Sequence, residues 1–210
     1  KINNYVLDIV NKILYDLEQY KNSKNKITKK TLDDLNSVAF NKNIQDYYEK
    51  DTLSEILKSR DFFMKNLNLQ SADWCLVFSS MLHILHGNRP YALSRRSHPL
   101  TPYAPSGSFI KKSVIQKLKN KVERTINIDK GKDFISGISY QQNILDNWKI
   151  ENNSINLILT SPPFAFSTKF YMTNWIRYWF SGWGLKDFRI KSENYIEKKQ
   201  KNNIDFYNHI

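Results

Sequence analysis

The chain has 210 residues, 40% hydrophobic and 14% aromatic, which excludes wholesale disorder and provides enough apolar side chain for a sizeable core. Its 32 Lys and Arg against 20 Asp and Glu leave a net charge of +12, which points to a polyanionic partner, nucleic acid first and an anionic membrane surface second. One cysteine excludes a disulfide framework and cannot build a zinc site; with no apolar run near the roughly 18 residues of a membrane span, and no signal-peptide core after Lys1, the expected location is the cytoplasm.

From the N-terminus, Val6, Val10, Ile13, Leu17 and Tyr20 recur at helical spacing, which predicts an amphipathic helix over 3–22, ended by the polar run 21–26. A short helix follows over 31–40. Thr52-Leu53-Ser54-Glu55 matches a capping box, and Leu53, Ile56, Leu57 and Phe63 carry the next helix to about Leu67. Residues 72–85 are apolar on nearly every side and predict a buried central helix capped by Gly87, with Cys75 as inert core. His83 and His86 lie three apart but have no convergent carboxylate or second cysteine, so they read as core or boundary residues rather than metal ligands.

The segment from Gly87 to Gly107 differs in character. It holds four of the six prolines, which predicts a long loop. Charge concentrates here and just beyond. Residues 89–132 carry 11 basic and 2 acidic residues, a net of +9, whereas 1–88 sum to +1 and 133–210 to +2. Arg alternating with Tyr and His suits a surface that follows a phosphate backbone and stacks on bases. Ser108 is expected to cap a basic helix over 109–125. Arg95, Arg96, Lys111 and Lys112 are the candidate phosphate contacts, with His98 beside them.

Further on, 134–140 reads as a short strand and 155–160 as a buried parallel strand. The second runs directly into Ser161-Pro162-Pro163-Phe164, and an aromatic helix through Met172, Trp175, Ile176, Trp179, Phe180 and Trp183 follows. A last polar helix is expected over 192–201. Two prolines hold the tetrapeptide extended and rigid. Ser161 Oγ and the Pro162 carbonyl can accept hydrogen bonds from an exocyclic amine, and Phe164 offers a flat face to a base rotated out of its helix. The Gly182-Trp183-Gly184 triplet follows a helix rather than a strand and fails as a nucleotide loop.

This constellation resembles motif IV of the amino-methylating DNA methyltransferases, in which Asp, Asn or Ser precedes Pro-Pro and Tyr or Phe follows. The run Asn152-Asn153-Ser154-Ile155-Asn156-Leu157-Ile158-Leu159-Thr160 is similar to the family's approach to that motif. The helix at 170–180 and the loop at 91–99 resemble one branch of the same family, and the likeness covers about 87–185. The Ser-Pro-Pro-Phe form is most similar to the cytosine-N4 enzymes, ahead of the adenine-N6 ones. What the resemblance implies is an α/β, helix-rich, partial Rossmann-like fold with a helical insertion. It further implies methyl transfer from S-adenosylmethionine to the amino group of a flipped base in double-stranded DNA, in a restriction-modification setting.

By that likeness Ser161, Pro162, Pro163 and Phe164 form the catalytic loop, and Asn174 and Trp175 line the base pocket. Gln142 and Asn143 fall where the family carries a cofactor-side acidic residue, and Asn156 stands where Asp is usual. The family's glycine-rich cofactor loop is absent. The implied organisation is a helical DNA-cleft insertion over 1–130 and a catalytic-loop part over 131–210. A start on Lys1 reads as a trimmed chain, with a second chain or segment supplying the cofactor motif. The alternative is a non-catalytic DNA- or partner-binding remnant of such an enzyme.

Overall fold

The computed structural model describes residues 4–24, 26–37, 43–87, 89–96, 105–128, 131, 133–135, 137–140, 142, 147–160, 170–191 and 193. In chain order the helices are α1 (Asn4–Asn22), α2 (Lys29–Ser37), α3 (Lys50–Asn66), α4 (Ala72–Leu85), α5 (Val114–Ile126), α6 (Phe170–Thr173), α7 (Trp175–Phe180) and α8 (Leu185–Lys191). A 3-10 turn at Ile44–Tyr47 leads into α3. Among the described residues no helix is long and apolar enough to cross a membrane.

The bundle follows from helical spacing. Val10, Ile13, Leu14 and Leu17 form a buried stripe on α1, which packs on α3, α4 and α5. On α4, Val77, Phe78, Met81, Ile84 and Leu85 are buried, and this helix also packs against α5 and α7. Ser71 caps α4 through its side chain, which accepts from Trp74 N–H. An aromatic knot closes the centre, with the Phe63 ring 5.2 Å from Phe78 and 6.0 Å from Phe180. Trp175, Ile176, Trp179, Phe180 and Phe188 belong to the same buried cluster as α1, α3, α4 and α5.

A buried polar chain fastens α7 and α2 to α3. Arg60 is fully buried, donates from Nε to the Trp179 carbonyl at 2.9 Å and from Nη1 to Thr31 Oγ1 at 2.8 Å, and lies 5.2 Å from the centre of the Trp179 ring. Asp61 beside it accepts from Thr28 N–H at 2.7 Å and from the hydroxyls of Thr28 and Thr31. A buried guanidinium is tolerated only when its donors are met, and this one ties three helices together while meeting them.

The α/β expectation is overturned. Among the described residues there is no strand; Arg96 and Ser106 form an isolated antiparallel bridge. The two predicted strands lie in irregular exposed chain, with Ile135 at 89%, Leu157 at 71% and Leu159 at 86% exposure. A parallel strand needs hydrogen-bonded neighbours and covered faces, and the apolar face of the bundle is covered by α7 instead. The Rossmann-like sheet is therefore replaced by helix-on-helix packing.

Smaller differences have local causes. Glu49, not Thr52, caps α3, its carboxylate accepting from the N–H groups of Asp51 and Thr52. Glu55 instead accepts from Val114 N–H and faces Lys21 at 3.7 Å. Ser113 rather than Ser108 caps α5, so Lys111 and Lys112 precede that helix. The aromatic helix breaks at Asn174, and Cys75 is only partly buried. Gly182, at φ +97, turns the chain out of α7, so the Gly-x-Gly triplet is a helix ending. The helix expected over 192–201 lies almost wholly outside the described residues.

Candidate nucleic-acid interface

The proline-rich loop is anchored at its first half by backbone bonds. Leu93 N–H donates to the Ile84 carbonyl at 2.7 Å and Arg95 N–H to that of Tyr47 at 2.7 Å, while Ala92 and Leu93 are buried. Ser106 N–H then donates to the Arg96 carbonyl at 2.7 Å, bringing 105–110 alongside 94–96. Between them lies a groove of about 340 Å³ whose lining includes Arg89, Arg95, Arg96, Gly107 and Lys112. Four cations on one concavity, with no carboxylate among the described lining residues, make a basic surface whose charge suits an anion.

Those cations are held in different ways. Arg95 donates from Nε and Nη2 to the Gly107 carbonyl at 3.0 and 2.6 Å and from Nη1 to the Asp46 carbonyl at 3.1 Å. Its guanidinium also covers the Phe109 ring at 4.0 Å. Gly107 sits at φ +80, a backbone region that favours glycine, and this presents its carbonyl to Arg95. Lys112 donates from Nζ to the carbonyls of Ala92 and Ser94, each at 2.6 Å. Burial, with nearby Lys117, holds its pKa below the usual lysine range.

Of the four predicted phosphate contacts, Lys111 and Arg96 are more open. Lys111 is an exposed partner of Asp51 at 3.0 Å, and this bond raises its pKa. Arg96 is exposed, and its backbone rather than its guanidinium makes the bridge to Ser106. The structure thus brings Arg95, Arg96 and Lys112 into one groove and leaves Lys111 outside its lining.

The base-pocket pair lies elsewhere. Trp175 is fully buried, edge-on to Tyr47 with ring centres 5.7 Å apart. Asn174 Oδ1 accepts from Arg177 Nη1 at 2.8 Å, and Arg177 Nε donates to the Leu82 carbonyl. His98, Asn143 and Ser161 to Phe164 lie outside the described residues. Gln142 is described, and donates to the Asn147 carbonyl at 3.2 Å within its own loop. It does not line the basic groove, and an amide donating to the Asn147 carbonyl does not fit the acidic cofactor partner its position implies.

Sequence reasoning passed over Arg89, whose position at the loop's start places it in the groove lining. It also passed over the cations of α5. Their signal was legible: Lys117, Lys121 and Arg124 recur at four and three, one face of a helix. Of the two histidines, His86 is buried edge-on to Tyr47, and His83 contacts Tyr91 OH at 2.9 Å through Nε2.

Comparison with protein-family models, with curated proteins and with solved structures finds no match to this chain.

Proposed function

We propose that the chain is the DNA-contacting part of a site-specific DNA methyltransferase, acting on the exocyclic amino group of a flipped base. The observation that carries the reading is the basic groove beside Arg96, joined in sequence to an amine-accepting loop at Ser161-Pro162-Pro163-Phe164. Ser161 Oγ and the Pro162 carbonyl accept the amino hydrogens, Pro163 keeps the loop rigid, and Phe164 stacks on the base. Cytosine N4 in a restriction-modification setting is the favoured target, and adenine N6 presents the same donors. S-adenosylmethionine is the proposed methyl donor, with a second chain or further segment supplying its glycine-rich loop.

A second reading has its own support. The exposure of 155–160 and the position of Gln142 favour a non-catalytic DNA- or partner-binding remnant. Methyl transfer to duplex DNA from labelled cofactor, with this chain alone and with the suspected second chain, decides between them. Transfer that falls at least about 100-fold in Ser161→Ala, with DNA affinity intact, supports the enzyme. Transfer unchanged by that substitution refutes the assigned role, and binding without any transfer favours the remnant.

A further inference from the structure

A second basic cavity, of about 400 Å³, lies on the other side of Arg89 from the loop groove. It is lined by Arg89, Pro90, Tyr91, Lys117, Asn120, Lys121 and Arg124. Arg89 and Pro90 line both concavities, so the two form one basic strip. The guanidinium groups of Arg89 and Arg124 each stand 6.0 Å from the centre of the same Tyr91 ring, one reaching from the loop and one from α5. The Tyr91 hydroxyl is fixed in turn by His83 at 2.9 Å, and Lys117 Nζ donates to the Pro90 carbonyl at 3.1 Å. Among the described residues no carboxylate lines the cavity. On the same helix Lys119 is neutralised, at 2.9 Å from Glu18 of α1.

We propose that this face of α5, with Arg89 and Tyr91, is a docking surface for one strand of duplex DNA, its cations meeting successive phosphates. The inference rests on the DNA-binding reading above and names where the backbone runs. Lys117 to Arg124 spans about 10.5 Å of helix at 1.5 Å per residue. Phosphates of one strand follow each other at about 3.4 Å along the duplex axis, so a helix laid along that axis spans about three phosphate steps. Two exposed guanidiniums that flank one aromatic ring are placed to share a bridging phosphate.

His83 provides an internal reporter. Burial first, then Lys121 and Arg124 of α5, Arg177 of α7 and Arg89 of the loop, hold its pKa below 6.5. Tyr91 is its hydrogen-bonding neighbour. A phosphate among these cations offsets their field, so the pKa of His83 must rise when DNA binds.

The test measures binding of the 210-residue chain to a fluorescent DNA duplex across a salt series. Loss of two contacts in Lys121→Gln/Arg124→Gln should reduce the log–log salt slope by about 1.8, at about 0.9 per contact. Thermal unfolding of this double variant checks that the fold is kept, and NMR titration of His83 in the wild-type chain gives an independent readout. A slope unchanged in the folded variant overturns the proposal, as does a His83 titration unmoved by saturating duplex. Should the variant unfold, the His83 titration alone decides. Preferential binding to phosphatidylserine vesicles or to single-stranded RNA through these residues also overturns it. A lost slope in a chain that transfers no methyl group supports this surface while the enzymatic reading fails; methyl transfer with an unchanged slope does the reverse.

Discussion

The loop before α5 and the outward face of α5 are both rich in cations, yet they use them in opposite ways. In the loop, Arg95 and Lys112 donate into backbone carbonyls of 46, 92, 94 and 107, so their charge shapes the groove from within. On α5, Lys121 and Arg124 line a cavity beside Tyr91 without a carboxylate. A local charge excess is therefore two populations. Arg95 and Lys112 are bonded to backbone carbonyls and hold the loop's conformation, whereas Lys121 and Arg124 are the cations that the proposal assigns to phosphate. Arg60, fully buried between α3 and α7, is the extreme of the first kind.

That division is most sharply broken at Arg60. Arg60→Ala removes the donors to Trp179 and Thr31 and empties a packed site, so a loss of about 3–5 kcal/mol is expected in urea unfolding. Far less than that would place Arg60 among the replaceable cations and blur the comparison. Next comes Lys112→Met, which keeps the aliphatic stem but leaves the carbonyls of Ala92 and Ser94 without their donor. A loss of about 1–3 kcal/mol is expected for this partly buried group, and DNA affinity should fall because the groove loses its shape as well as a charge. Arg96→Ala, by contrast, should leave stability within about 0.5 kcal/mol while still weakening DNA binding. Equal destabilisation by both substitutions would mean that exposure does not separate the two populations.

How much of this was legible depended on how local each determinant is. The helices α1 and α4 were readable because their buried stripes recur within one element, as in Val10, Ile13 and Leu17. The basic stretch was readable as a count, but the partners of Arg95 and Lys112 were not, since they are backbone carbonyls far away in sequence. The strand at 155–160 was misread because an apolar run has the same pattern whether or not a neighbouring strand exists to pair with it. The aromatic stripe at 175–183 reads as core packing from its spacing, and Trp175 and Trp179 are buried; nearness to the motif also made Trp175 a pocket candidate, and its contact with Tyr47 seats it in the core. The cap at Glu49 was hidden by a plausible Thr52 three residues on. The catalytic loop itself rests on sequence alone.

The smallest effect tests the α5 side of the comparison without any ligand. His83 is held below its ordinary 6.5 by burial and by Lys121, Arg177, Arg89 and Arg124. As pH falls through about 6.5 the unfolded chain takes up that proton first, at the reference value, while the folded chain still resists. Stability contributed at this site is thus full above 6.5, declines below it, and levels once the folded form is protonated too. Replacing His83 with Gln removes the titration, so the wild-type urea midpoint relative to the variant's should be lower at pH 5.5 than at pH 7.5, and that pH-dependent difference is the readout. Lys121→Gln/Arg124→Gln should shrink the difference, because two of the opposing charges are gone while burial remains. An undiminished difference in that double variant would assign the shift to burial alone, and α5 would then hold its cations too far from His83 to form one site.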